Sequence, residues 1–315
     1  MSSSDASAAA ETKLTVPVIC GPTASGKSAV AMWLSLRREL LIISADSRQI
    51  YRGFDIGTAK PSFADRERVP HRGIDVVEPT ERYSAAEWAA LAQNGIREAL
   101  VTGRLPVVVG GTGFYISALF QPLFDEPPLD GDRRQALQRG LAALGTDELK
   151  RWCTTLDPAR AHLGRAQLLR AIEVALLTGR RLSDLHVSNV RPTPYRGVYL
   201  LVDPGAELQA RIAARAENML DSGWPEEVKE LLQRVPDDAP AWNATGYGAV
   251  RALVRGELDR AAALQRIVIE TRQYAKRQRT WFRNQLAGED VTRLDSTAPD
   301  FVGEAVRWWT DTSAE

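Results

Sequence analysis

The run Gly21-Pro22-Thr23-Ala24-Ser25-Gly26-Lys27-Ser28 has the form G-x-x-x-x-G-K-[ST], a pattern suited to gripping a pyrophosphate or polyphosphate. Its glycines let successive backbone N–H groups curl around phosphate oxygens. A helix that follows adds the positive end of its dipole. Lys27 supplies a point charge, and the Ser28 hydroxyl can take Mg²⁺. The context fits: the apolar run Val16-Pro17-Val18-Ile19-Cys20 precedes the loop. A helix is expected from near Gly26 through Ala29, Val30, Trp33 and Leu34 towards Arg38.

A loop of this kind usually works with a second apolar strand that ends in an acid for Mg²⁺. Val107-Val108-Val109 ends instead in Gly110-Gly111, which counts against an ordinary ATPase. Two other acids close apolar runs, Asp46 and Asp203. Asp203 precedes Pro204 and suits a turn or cap. Asp46 ends Leu40-Leu41-Ile42-Ile43-Ser44-Ala45, and ligands of parallel sheets sit beyond the carboxyl ends of the strands. It can hold a metal or act as a general base there, or simply cap the next segment.

A second cluster is basic. Arg272, Lys276, Arg279 and Arg283 are spaced four, three and four, so they share one helical face, and Arg277 adds a further charge. Gln278, Trp281 and Phe282 lie among them. The stripe suits phosphate contacts with polar or stacking base contacts, or else a solvated face whose aromatic residues dock on the core. Arg211 and Arg215 are one turn apart and could reach a phosphate together, or pair with Glu207 or Glu217. Arg165 and Arg170 read as surface residues. Trp88, Trp152, Trp224 and Trp242 read as core.

The elements that must position these groups alternate. Strands are expected at Val16–Cys20, Leu40–Ala45, Ile74–Val77, Pro106–Val109 and Val198–Val202. Helices are expected over 85–102, where Ser84 and Glu87 form a capping box, and over 206–220, 225–233, 246–254 and 258–283. Phe301, Val302, Val306 and Trp309 suggest one more. Residues 132–186 read as helical without a strong strand, between a Pro/acidic hinge at Pro122–Pro128 and a second hinge at Arg191-Pro192-Thr193-Pro194. The fold class is therefore α/β: a parallel sheet with helices on both faces and a helical insertion domain. The expected division is a tail at 1–12, a core from 13–124 and 196–315, and an insertion at 125–195.

At 315 residues the chain has room for one large domain or two small ones. Forty basic and forty acidic side chains cancel, so any nucleic-acid footprint must be local. Cys20 and Cys153 have neither disulfide-framework nor metal spacing, which fits a reducing cytoplasm, and Cys20 reads as a small buried hydrophobe. No run of about 18 apolar residues suggests a membrane span. On these grounds a P-loop kinase and an RNA-binding protein with a vestigial loop both remain open.

Longer stretches narrow the choice. From about Val16 to Arg283 the chain resembles the tRNA dimethylallyltransferase family, also called tRNA isopentenyltransferases. The resemblance is carried by the loop at 21–28, by Ser44-Ala45-Asp46-Ser47-Arg48-Gln49-Ile50-Tyr51-Arg52-Gly53 and by Asp55-Ile56-Gly57-Thr58-Ala59-Lys60-Pro61. Pro70-His71, Tyr83-Ser84-Ala85, Val109-Gly110-Gly111-Thr112-Gly113-Phe114-Tyr115 and Arg170-Ala171-Ile172-Glu173-Val174 follow in order. Gly246-Tyr247 and Thr271-Arg272-Gln273-Tyr274-Ala275-Lys276-Arg277-Gln278-Arg279-Thr280-Trp281-Phe282-Arg283 complete the series. Gly164-Arg165-Ala166-Gln167 stands one residue short of the family pattern, and Thr245 and Gly248-Ala249 also depart from it.

The resemblance implies a P-loop core with a helical insertion, of the bacterial type. It implies that the loop, Gly21, Pro22, Thr23, Ala24, Ser25, Gly26, Lys27 and Ser28, binds the pyrophosphate of dimethylallyl diphosphate. The five-carbon group would pass to N6 of the adenosine just 3′ of the anticodon, in tRNAs reading codons that begin with U. Asp46 would be the general base. Thr23, Lys27, Arg215 and Arg211 would stabilise the leaving pyrophosphate, with Mg²⁺ at Ser28. Asp46, Ser47, Arg48, Gln49, Thr112, Arg134, Gln167, Arg170 and the helix residues Lys276, Arg277, Gln278, Arg279, Thr280, Trp281, Phe282 and Arg283 would touch tRNA. A cytoplasmic monomer is expected.

Overall fold

The computed structural model describes residues 13–121, 123–124, 129–188, 190–191 and 193–313. The tail at 1–12 and parts of both hinges lie outside these residues. Contacts divide the chain into two compact units, one made of residues up to Phe120 together with those from Pro194 onward, the other of Gln121–Thr193.

The first unit holds β1 (Leu14–Cys20), α1 (Lys27–Leu34), β2 (Leu40–Ala45), α2 (Phe63–Arg68), β3 (His71–Arg72), α3 (Ala85–Val101), β4 (Leu105–Gly110) and α4 (Gly113–Phe120). The second unit holds β5 (Leu123–Phe124), α5 (Gly131–Ala142), α6 (Thr146–Leu156), α7 (Arg165–Thr178), α8 (Leu182–Ser188) and β6 (Val190–Arg191). The chain then returns to the first unit with β7 (Tyr195–Asp203), α9 (Leu208–Asp221), α10 (Trp224–Leu231), α11 (Tyr247–Val254), α12 (Arg260–Gln285), β8 (Val291–Asp295) and α13 (Phe301–Ser313).

The sheet of the first unit runs β3-β2-β4-β1-β7-β8, with every neighbouring pair parallel. Strands buried on both faces read as continuous apolar runs, and all six residues of β2 are buried. Alternation assigns the faces. Ile19, Ile42, Val107, Val109, Leu200 and Val202 pack with Val30 and Leu34 of α1 and Trp308 and Trp309 of α13. On the other face Ile43 meets α3 at Gly95, and the Trp88 indole N–H donates to the Ser44 carbonyl at 2.8 Å. The Ser84 capping box opens α3 as its sequence predicts. In the second unit Leu149, Cys153, Leu168, Ile172 and Leu185 form a separate core, and β5 pairs with β6 antiparallel.

Three expectations are corrected. The strand beside β2 is His71–Arg72, not Ile74–Val77. Left-handed backbone at Gly73 (φ 82°) and Asp75 (φ 54°) breaks the extension. Residues 75–77 instead bond to Gln49 and Ile50. The final helix forms, but it docks through Ala305, Trp308 and Trp309 and leaves Val302 55% exposed. Trp152 is 41% exposed, while Trp88, Trp224 and Trp242 are buried.

The segment between β2 and β3 is held by one buried cation. The Lys60 side chain is 1% exposed. Its ammonium donates to the Tyr51 carbonyl at 2.6 Å, to Asp55 at 2.6 Å and to Asp75 at 2.5 Å. Burial works to raise the Asp75 pKa, yet Lys60 and Arg66 together hold it below the usual carboxylate range. Lys60→Met removes three charge-assisted bonds and leaves both carboxylates unpaired with it. It is expected to lower stability by about 2–3 kcal/mol, read as a fall in the urea midpoint at unchanged m.

Candidate active site at the carboxyl edge of the sheet

Strand register brings the chemistry together. Cys20 pairs with Gly110 and Leu201, and Ala45 pairs with Gly110. The next residues, Gly21, Asp46 and Gly111, therefore leave the sheet side by side at its carboxyl edge. Gly26, at φ 95°, turns the chain into α1, which begins at Lys27, so the first N–H groups of that helix cap the loop. No strand-end acid could stand at Gly110: a Cβ there would lie 2.2 Å from the Ala45 carbonyl oxygen.

A cavity of about 410 Å³ opens over this edge. Thr23, Lys27, Ser28, Asp46, Arg48, Arg215 and Tyr274 give it polar walls, and Ile42, Val109, Ile212, Met219, Trp224 and Ile267 give it apolar ones. Burial pushes the Lys27 ammonium down to about 8, Asp46 opposes this, and Arg215 adds to it. Burial also lowers Arg215, again against Asp46. Two cations thus share one carboxylate, and neither makes a direct ion pair among the described residues. The Lys27 ammonium is parked on the Pro22 carbonyl at 3.2 Å. This is the electrostatic arrangement of an anion site.

Asp46 does two things at once. Its Oδ1 accepts from the backbone N–H of Arg48 at 2.8 Å and of Gln49 at 3.4 Å, so it caps the turn that follows β2. The carboxylate also lines the cavity. The Ser47 N–H donates to Thr112 Oγ1 at 3.0 Å, which ties that turn to the end of β4. Burial raises the pKa of the nearby Tyr274 hydroxyl to about 12, with Thr112 working against the shift. Tyr274 was missed in the sequence, although Thr271, Tyr274 and Gln278 fall on one side of a helix at spacings of three and four.

The pattern of the IPP transferase family matches residues 49–285. A tRNA dimethylallyltransferase of Deinococcus radiodurans is 41% identical over 87% of this chain and 91% of its own length. One from Halorhodospira halophila is 42% identical over 93% of this chain and 99% of its own. The chain belongs to this family. Among solved structures, the full-length tRNA isopentenylpyrophosphate transferase of Bacillus halodurans has a TM-score of 0.66 and 32% identity, covering 96% of this chain and 99% of that one.

In this chain the basic helix α12 divides its residues between two jobs. Arg272, Lys276, Arg277, Thr280 and Arg283 are exposed. Three others bond or pack within the protein. Gln278 is 6% exposed; its Oε1 accepts from the Thr23 N–H at 2.8 Å and its Nε2 donates to the Gly111 carbonyl at 2.9 Å. Phe282 is 1% exposed. Arg279 grips Asp203 with two nitrogens and also donates to the Gly205 carbonyl at 2.6 Å. Asp203 is thus a clamp and a turn acceptor for the Gly205 N–H, not a metal acid. Trp281 is half-buried and seals against Gly113, where an added Cβ would sit 2.1 Å from the indole.

Other expected contacts are placed as follows. Gln49 is occupied internally: it accepts from Ser44 at 2.9 Å and donates to the Thr58 and Ala59 carbonyls at 3.2 and 3.0 Å. It also lines the cavity. Arg48 lines the cavity. Arg211 pairs with Glu207 at 3.5 Å and with Ser296 at 3.0 Å, while Arg215 alone of the two lines the cavity. In the second unit the buried Glu173 carboxylate collects Arg134, Gln138 and Arg170. Gln167 is exposed and accepts from the Gly164 N–H at 3.1 Å at the start of α7. Arg165, read as a surface residue, donates to the Ala142 carbonyl at the end of α5 and to the Leu144 carbonyl just beyond it.

Proposed function

We propose that the chain transfers the dimethylallyl group of dimethylallyl diphosphate to N6 of the adenosine 3′-adjacent to the anticodon, in tRNAs reading codons that begin with U, and releases diphosphate. The observation that carries the reading is Asp46 facing a cavity that it shares with Lys27 and Arg215. An exocyclic amine is a poor nucleophile, so a carboxylate that takes its proton as the N–C bond forms lowers the barrier. As the C–O bond breaks, charge gathers on diphosphate, where the Lys27, Arg215 and Thr23 side chains and the first N–H groups of α1 would stabilise it. The apolar wall suits a five-carbon group. The target base must leave its stack to reach such a site.

The donor set suits Mg²⁺ held mainly by substrate phosphates and water. Ser28 lines the cavity, and no group of three or more His, Cys, Asp or Glu is placed for a metal among the described residues. Once bound, the ion would neutralise charge on the departing diphosphate. No described helix is long and apolar enough to cross a membrane, and a monomer acting on tRNA in the cytoplasm is part of this proposal.

The test uses unmodified tRNA, labelled dimethylallyl diphosphate and Mg²⁺. Absence of label in the tRNA would sink the reading. A second measurement separates the two jobs of α12. The double variant Lys276→Ala/Arg277→Ala is expected to weaken tRNA binding and to reduce the slope of log affinity against log salt by about 1 for each phosphate contact removed. Arg279→Ala is expected to lower the melting temperature and leave that slope unchanged.

A further inference from the structure

Gln278 stands in the middle of a cationic run, yet its amide points away from solvent. It receives the Thr23 N–H at 2.8 Å, gives a hydrogen bond to the Gly111 carbonyl at 2.9 Å, and is 6% exposed. One side chain therefore joins the loop after β1 to the turn after β4. The approach is close: a Cβ on Gly111 would sit 2.3 Å from the Gln278 amide nitrogen and 3.0 Å from the Gly21 carbonyl oxygen.

Both anchored points carry neighbours that matter. Thr23 lines the cavity at the diphosphate end. Thr112, next to Gly111, holds Ser47 beside Asp46 at the acceptor end. We propose that Gln278 is a positioning residue that fixes the donor loop against the base-bearing turn, rather than a contact to tRNA. The proposal rests on the prenyl-transfer reading for the names of the two ends, although the bridge itself joins two parts of any ligand site here. Because Gln278 rides on the helix whose outer face is basic, the same helix that would meet RNA sets the register of the diphosphate site.

The test uses the full chain and inorganic diphosphate with Mg²⁺ as the probe. Gln278→Met keeps the volume and removes both bonds; Gln278→Ala removes the side chain. Both are expected to weaken diphosphate binding about tenfold or more and to raise the donor KM in parallel, with donor-free tRNA affinity within about twofold of wild type. A loss of tRNA affinity with unchanged diphosphate affinity would overturn the proposal and make Gln278 an RNA contact. Lower stability with both affinities unchanged would overturn it as well. If neither variant folds, hydrogen exchange in the wild type decides: the Thr23 amide should be protected without ligand, and fast exchange there would refute the bridge. A wild type that binds diphosphate but labels no tRNA would defeat the prenyl-transfer reading and leave this comparison intact.

Discussion

Asp46→Asn is expected to lower kcat for prenyl transfer by about 10²–10⁴, the range a positioned general base supplies, with tRNA affinity and fold retained. The choice of Asn follows from the two jobs of this side chain. Oδ1 accepts from the N–H groups of Arg48 and Gln49, and an Asn oxygen can do the same. What Asn cannot do is take a proton from an amine. Asp46→Ala removes both functions, so it is expected to lose a similar amount of rate and about 1 kcal/mol of stability more. Single-turnover labelling with saturating donor reads the rate, and a urea titration reads the stability. Comparable labelling by Asp46→Asn would exclude Asp46 as the base.

The parts of this site that were legible in the sequence are those set by strand ends. β1, β2 and β4 are buried on both faces over most of their length, so their runs are largely apolar, and the residue after each run must surface at the carboxyl edge. That is why Asp46, the P-loop and the Gly110-Gly111 turn could be placed together before any coordinates. Elements that owe their form to a neighbour were not legible. Val291-Thr292-Arg293-Leu294-Asp295 has little strand character of its own and becomes β8 by pairing with β7. Ile74–Val77 looks apolar enough for a strand, but a left-handed residue on either side of Ile74 folds it back onto Gln49 and Ile50.

Helix α12 shows how a charge pattern can hide a packing pattern. Arginines and lysine drew the reading towards RNA, and Arg272, Lys276, Arg277, Thr280 and Arg283 do face solvent. The buried stripe was nonetheless present, through Ala263, Ile267, Ala275, Gln278 and Phe282. It was broken to the eye by a glutamine, which packs there because two backbone groups of other segments satisfy its amide. In the second unit Arg170 read as a surface residue and Arg134 as a tRNA contact, because nothing local marks Glu173 as buried. The carboxylate sits on the inner side of α7 and draws both in.

Lys27 sets the second large effect. Lys27→Met is expected to lower kcat/KM for the donor by about 10²–10³, the loss typical of one fixed group aimed at developing charge. The pH dependence says how. Burial holds the Lys27 ammonium down to about 8, with Asp46 working against it and Arg215 with it. Diphosphate binds the charged form, so the free enzyme is competent below that value and loses affinity as pH rises through it. Bound diphosphate stabilises the ammonium and moves its titration upward. Log kcat/KM for the donor should therefore bend towards a slope of −1 above about pH 8, while kcat stays level to higher pH. Lys27→Arg keeps a charge that does not titrate in this range, so whatever activity it retains should show no bend. A bend that persists in either variant would assign the titration to another group.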